Sequence, residues 1–305
     1  MTFGAPLPSP AQRRVAIPFV ICTLVWGSTW FVIGSQLHYV PAGWSIAYRF
    51  GLASIAMFIV AASMRVRIAL PAAGHGLAMI VGLTQFMLNY AFVYAAEERI
   101  ASGLVALVSA LLIVPNALFA RAFLGQAVSR RFLVGSGIAM TGIALLFAHE
   151  IGQSGGDSHR VAMGVLLSLA GVMSASTANV LQATKRAVSL PPPSLLAWGM
   201  VYGTALDVTW AWISVGPPTF SLAPIYIAGL LYLALAGSAV TFSLYFGLIR
   251  QIGPARAGYI AVLVPVIAML LSTWFEGYHW TATAAAGALL TIAGLVVAMR
   301  ARSPR

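Results

Sequence analysis

Two charges lie inside long apolar runs: Arg49, in YRFGLA, and Asp207, in TALDVTW. An ionised side chain in hydrocarbon needs a partner, a polar cavity or a reach to the interface. Three chemistries are open to Arg49. It could bind a solute carboxylate, pair with Asp207 or Glu97, or extend outward as a structural cation. Asp207 could instead exchange a proton, which makes protons a further possible partner of the chain.

Uncharged residues form matching faces. Around VWGSTWFVIG (residues 25–34), Thr23, Trp26, Trp30 and Gly34 fall at i, i+3, i+7 and i+11, one helical stripe with Gly27, Ser28 and Thr29 beside it. Indoles offer flat apolar walls and hydroxyls offer hydrogen bonds, a combination suited to an amphipathic solute. Small residues beside indoles suit close helix packing equally well. Gln85 and Asn89 are at i, i+4, and Tyr90, Tyr94 and Glu97 at i, i+4, i+7. Ser176 and Asn179 follow with Gln182 nearby, then Trp198 and Tyr202, then Ser238, Thr241 and Tyr245. Buried amides must find partners, either across helices or in a solute. Tyr90 and Tyr245 also suit an interfacial aromatic belt. The candidate substrate-binding cavity is thus Trp26, Thr29, Trp30, Arg49, Gln85, Asn89, Tyr90, Ser176, Asn179, Trp198, Tyr202, Asp207, Thr241 and Tyr245.

Catalytic chemistry lacks its parts. The five histidines (His38, His75, His149, His159 and His279) lie at span ends or in loops, and HExxH and P-loop patterns are missing. Asp207 has no second aspartate within a span, and the lone Cys22 gives neither a disulfide framework nor zinc spacing. No catalytic residue, metal or cofactor is expected. A channel is the stronger alternative to a carrier, and an intramembrane enzyme the weaker.

The elements that carry these residues follow from composition. The 305 residues are 60% hydrophobic and 8% charged, which fits a multi-span membrane protein bathed in lipid and no soluble class. The net charge of +11 is scattered between apolar runs, so nucleic acid is not an expected partner. Arg13-Arg14 before an apolar run resembles a secretory signal, but the run is long and reads as an uncleaved first span. Ten apolar spans are expected at 17–36, 43–63, 74–96, 101–120, 132–149, 161–183, 194–214, 223–249, 255–275 and 281–299. Pro115 and Pro265 fall within the fourth and ninth and allow a bend or a hinge.

Basic residues orient the spans. With the N-terminus in the cytoplasm, 14 of the 17 Lys and Arg fall inside, Arg99 and Arg160 outside, and Arg49 within a span. Both termini are therefore expected in the cytoplasm. The halves match at an offset of 155, pairing Gly82 with Gly237, Tyr90 with Tyr245, Gly103 with Gly258 and Ala106 with Ala261. Later the offset is 152, and Gly135 and Gly142 pair with Gly287 and Gly294. Five spans per half is an odd number, so the second half enters the bilayer from the opposite side. The expected fold is an all-α integral membrane protein of two inverted five-helix repeats. Its parts are a tail 1–16, a repeat 17–149, an external linker 150–160, a repeat 161–299 and a tail 300–305.

WGSTWFVI, VPAGWSIAYRFGLA, AAEERIASGLVALVSALLIVP and GALLTIAGLVV occur in that order on these spans. Together they resemble the EamA-type drug/metabolite transporters, from about Pro18 to Ala298. The resemblance implies two EamA repeats, alternating access, and efflux of amino acids, metabolites or drugs through the inner membrane. Gln126 departs from the glutamate that often closes the fourth span, and Ala101 from the proline before Ser-Gly. The solute's identity, its coupling and the oligomeric state do not follow from the residues.

Overall fold

A computed structural model describes residues 10–125, 127–153, 157–252 and 260–300. Gln126, Gly258 and Arg256 lie outside the described residues, as do the chain ends 1–9 and 301–305. Among the described residues there is no strand. The first half is built from α1 (Pro10–Gln36), α2 (Ala42–Ser63), α3 (Ala72–Glu97), α4 (Ser102–Leu124) and α5 (Arg130–Gln153). The second contains α6 (Ser158–Gln182), α7 (Pro192–Ser214), α8 (Pro224–Leu231, Tyr232–Val240 and Thr241–Ile252 in continuous succession), α9 (Ile260–Phe275) and α10 (Ala282–Met299). A single turn, Lys185–Val188, leads from α6 to α7.

Local chemistry sets the ends. Asp157 caps α6 by accepting from the Arg160 N–H at 3.1 Å, and Thr281 caps α10 by accepting from the Ala284 N–H at 3.2 Å. Gly125, at φ 68°, closes α4 in the left-handed conformation that spares a side chain. Inside α4, the turn Ala110–Leu112 tightens to a 3-10 form ahead of Pro115, which offers no N–H to the Leu111 carbonyl. Among the described residues six helices are long and apolar enough to cross a bilayer: α1 from Val15, α2, α3, α4, α6 and α8 as far as Tyr245. Leu263–Phe275 and Ala282–Ala298 are shorter apolar stretches of α9 and α10. Ile59, Ile80, Leu166, Val208, Leu235 and Leu289 are exposed, as side chains facing acyl chains would be.

Several helices outrun the expected spans, because hydropathy ends where polar residues begin while backbone hydrogen bonding continues. Thus α5 extends to Gln153 and α8 to Ile252. Two helices also widen. Gly82–Leu88 in α3 and Tyr232–Val240 in α8 are π-helical, and the repeat mates Gly82 and Gly237 both lie in these wide turns. A Cβ on Gly82 would stand 2.6 Å from the Gly199 carbonyl oxygen and 2.9 Å from the Gly203 nitrogen. Only a bare backbone lets α3 press that closely on α7.

Helix pairing is reciprocal between the halves. α2 packs on α7, α4 on α9 and α5 on α10, each helix against its counterpart. The remaining large contacts come in matched sets: α3 with α7 and α8 with α2, α3 with α6 and α8 with α1, then α1 with α9 and α6 with α4. The glycine pairs make this concrete. A Cβ on Gly135 would lie 2.7 Å from the Gly294 carbonyl oxygen, and one on Gly142 would lie 2.6 Å from that of Gly287. Exchanging each glycine for its repeat mate turns the first contact into the second.

Candidate functional site

Arg49 is 1% exposed, held on α2 against α3 and α8. Its Nε donates to Ser238 Oγ at 3.1 Å and its Nη2 to the Tyr90 hydroxyl at 3.4 Å. The π turn of α8 sets Ser238 in place, because its own hydroxyl donates at 2.8 Å to the Leu233 carbonyl, five residues back. The guanidinium carbon stands 4.5 Å from the Tyr90 ring centroid and 5.3 Å from that of Phe50, a cation–π arrangement. Nη1 has no hydrogen-bond partner, and neither does the fully buried hydroxyl of Tyr94, which faces Arg49 without bonding geometry. Neither Glu97 nor Asp207 pairs with Arg49; Arg99–Glu98, at 3.4 Å, is the one ion pair among the described residues. Nor does Arg49 reach outward.

The tryptophan stretch adjoins this cation. Trp26 Nε1 donates to the Gly237 carbonyl at 3.2 Å, and its ring meets those of Tyr245 and Phe242 edge-on at 5.0 and 5.5 Å. Thr29 closes on Gly237, whose Cβ position lies 2.8 Å from Thr29 Cγ2 and 3.7 Å from Arg49 Nη2. The Thr29 hydroxyl itself turns back to the Trp26 carbonyl at 2.9 Å. Ser28 bonds the Tyr232 hydroxyl at 2.7 Å, and Gly27 abuts Ile267 of α9. Trp30 Nε1 is buried without a partner, as is Thr241 Oγ1 on α8. The structure therefore brings Trp26, Thr29, Arg49, Tyr90 and Tyr245 around the wide turn of α8. Phe50, Tyr94 and Ser238 complete the group; the Tyr90–Tyr94 spacing was the only sequence signal for Tyr94.

Other candidates sit elsewhere. Trp198 and Tyr202 pack with Phe58 and His75, where Trp198 Nε1 donates to the Ile68 carbonyl at 3.0 Å and Tyr202 meets His75 Nδ1 at 2.9 Å. Asn179 Nδ2 donates to Asn116 Oδ1 at 3.4 Å, joining α6 to α4. Asn89 lies against Gly171 of α6. Gln85 and Ser176 are buried, the latter with an unpartnered hydroxyl. Asp207 is 2% exposed with Oδ2 unpartnered, on the face of α7 where Ala211 meets Gly43 and Thr204 meets Gly51 of α2.

A cavity of about 920 Å³ opens at the end where α3 stops and α4 begins, lined by Phe31, Gly34, His38, Glu97, Asp157, Arg160 and Glu276 among others. It includes none of the fourteen candidate residues. Its floor is a network that sequence reasoning did not assemble. Glu97 Oε2 accepts from Ser102 Oγ at 2.9 Å, while Glu276 Oε2 accepts from the Ser102 N–H at 3.2 Å and Ser272 Oγ at 2.7 Å. The Gly103 N–H donates to Ser272 Oγ at 2.8 Å. Glu276 is thereby a carboxylate lent by α9 to the positive end of α4. Gly277, at φ 68°, turns the chain there, and the Tyr278 N–H returns to the Ser272 carbonyl at 3.1 Å.

The family model described as "EamA-like transporter family" matches residues 14–148 and again residues 162–300. The chain belongs to the EamA-like transporter family. It is 29% identical over 269 residues to an Escherichia coli K12 protein named "Uncharacterized inner membrane transporter YedA", covering 83% of this chain and 80% of that one. It is 25% identical over 304 residues to a Salmonella typhimurium "Probable amino-acid metabolite efflux pump", covering 94% and 95%. A crystal structure at 17% identity superposes with a TM-score of 0.69 over 93% of this chain and 96% of the other, which shows a shared fold.

The two family matches fall on either side of the α5–α6 connection. In this EamA chain Ala101 stands before α4 and gives its first turn no side-chain cap. Glu276 and Ser272 from the second repeat supply those hydrogen bonds instead.

Proposed function

We propose that this EamA-type transporter is a secondary carrier that exports a small organic solute through the inner membrane by alternating access. In this reading all ten helices span the bilayer as two inverted repeats. Both termini are cytoplasmic, and the cavity floored by Glu97 and Glu276 faces outward. The observation that carries the proposal is the reciprocal packing of repeat mates around the buried Arg49. Such halves can part on either side of one site at similar cost. The wide turns of α3 and α8 support it, since π turns localise rearrangement in otherwise rigid helices. Export through the inner membrane draws on the relatives' names, and the orientation on the uneven distribution of Arg and Lys.

The test is reconstitution. Liposomes carrying the purified protein are preloaded with an unlabelled metabolite pool and given labelled single compounds outside. Saturable counterflow of at least one compound is expected. Unsaturable electrical flux would mark a channel, and chemical conversion of a compound would mark an enzyme; either would displace the carrier reading.

A further inference from the structure

We infer that Arg49 anchors the carboxylate of an organic anion, so that the solute this carrier handles bears a carboxylate beside an apolar body. The inference rests on the carrier reading and adds a substrate class to it. A guanidinium keeps its charge in every protein setting, so burial cannot be relieved by losing a proton. A buried charge without a counter-charge is among the costliest arrangements a fold can hold. Here the cation is 1% exposed and its partners are two neutral hydroxyls and two ring faces.

Neither Glu97 nor Asp207 pairs with the cation. Glu97 is bound by Ser102 at 2.9 Å and, though near enough to feel Arg49's charge, makes no ion pair with it. Asp207 belongs to the α2–α7 contact and makes none either. What remains around the guanidinium is donor capacity. Nη1 is unpartnered, and so is the hydroxyl of Tyr94, which is 0% exposed and faces the same group. Nη1 and the nearby Tyr94 hydroxyl are donors that the two oxygens of a carboxylate can accept from.

Charge number and surroundings narrow the class. One arginine balances one negative charge, whereas a phosphate ester near neutral pH brings about two. No lysine lies in or near the group, since the chain's single lysine is Lys185 in the turn after α6. Phe50 and Tyr90 lay ring faces against the cation, and Trp26 bonds Gly237 beside it, aromatic surroundings that suit an organic body over an inorganic ion.

The experiment uses the full-length protein in detergent with matched probes: phenylacetate, phenylacetamide and phenethylamine, then hexanoate, hexanamide and hexylamine. Binding is read from tryptophan fluorescence and from the shift in thermal unfolding. Each carboxylate should bind roughly ten- to a hundredfold more tightly than its amide, the loss expected when an ionic hydrogen bond becomes a neutral one. Arg49→Gln should erase that preference. Because this variant could fail to fold, Arg49→Lys and Tyr94→Phe are measured beside it, and each should weaken carboxylate binding about tenfold while the amide is unaffected. Equal binding of amide and carboxylate, no binding by either carboxylate, or wild-type preference in both conservative variants would overturn the assignment. The same probes in counterflow keep the two readings apart. Carboxylates that bind but never exchange count against the carrier. Saturable exchange of amines or amides alone leaves the carrier standing and removes the anion class.

Discussion

The glycine contact between α5 and α10 can be tested by adding single methyl groups. A Cβ at Gly142 would come 2.5 Å from the Thr291 nitrogen and 2.6 Å from the Gly287 carbonyl oxygen; one at Gly294 would come 2.6 Å from the Gly135 carbonyl oxygen. Ordinary contact begins near 3.4 Å, so the backbones must part by about 0.9 Å to admit a methyl at Gly142, and by more at Gly294, whose Cβ would press on the Ala139 nitrogen. Overpacking of this kind costs about 1–3 kcal/mol, while alanine gains about 1 kcal/mol over glycine in a helix. Gly137→Ala isolates that gain, because Gly137 is exposed on the same helix with nothing within 4 Å of its Cβ position. Relative to that control, Gly142→Ala and Gly294→Ala should each lower the unfolding temperature by roughly 2–8 °C, at about 2 °C or a little more per kcal/mol. The assay is thermal unfolding in one detergent at one scan rate, followed by light scattering and tryptophan fluorescence. Both substitutions push the same two helices apart, so the second should cost less than half of the first in the double variant. Unfolding temperatures equal to the Gly137→Ala control would refute the close contact. Full additivity would refute the idea that the two ends yield together.

Trp26→Phe keeps the edge contacts to Phe242 and Tyr245 but loses the bond to the Gly237 carbonyl, and should cost about 1 kcal/mol; Trp26→Ala should cost about 3–5 kcal/mol, both read from unfolding. Glu276→Ala strips the first turn of α4 of an acceptor at Ser102 and should cost about 0.5–2 kcal/mol, visible as faster amide hydrogen exchange at Ser102. In a Cys22→Ala background, a cysteine at exposed Pro217 should react with an impermeant thiol reagent outside intact cells and one at exposed Ser189 should not; the reverse pattern would invert the proposed orientation.

What the sequence disclosed and what it withheld separate along a physical line. Apolar run length is a one-dimensional property, and it placed the helices to within a few residues at most ends. Depth along a span is equally linear, and by that measure Arg49 and Asp207 looked like partners. Direction around a helix is different, because it matters only relative to a neighbour. On α2 the small residues Gly43 and Gly51 face α7 and meet Ala211 and Thr204. Arg49 precedes Gly51 by two residues, about 200° around the helix, which turns it from α7 and Asp207 toward Ser238 of α8. That rotation was legible once glycine spacing is taken to mark the packed face, and it decides against the ion pair. The wide turns of α3 and α8 were not legible, since they depend on how closely Gly82 and Gly237 approach other backbones. The Ser102–Ser272–Glu276 network was equally hidden: Ser102 lies about 170 residues from Ser272 and Glu276, and no periodicity links it to them. Only the tertiary meeting of α4 and α9 brings the start of one helix against the end of the other. The charge that α4 needs at its N-terminus is therefore carried by the other repeat.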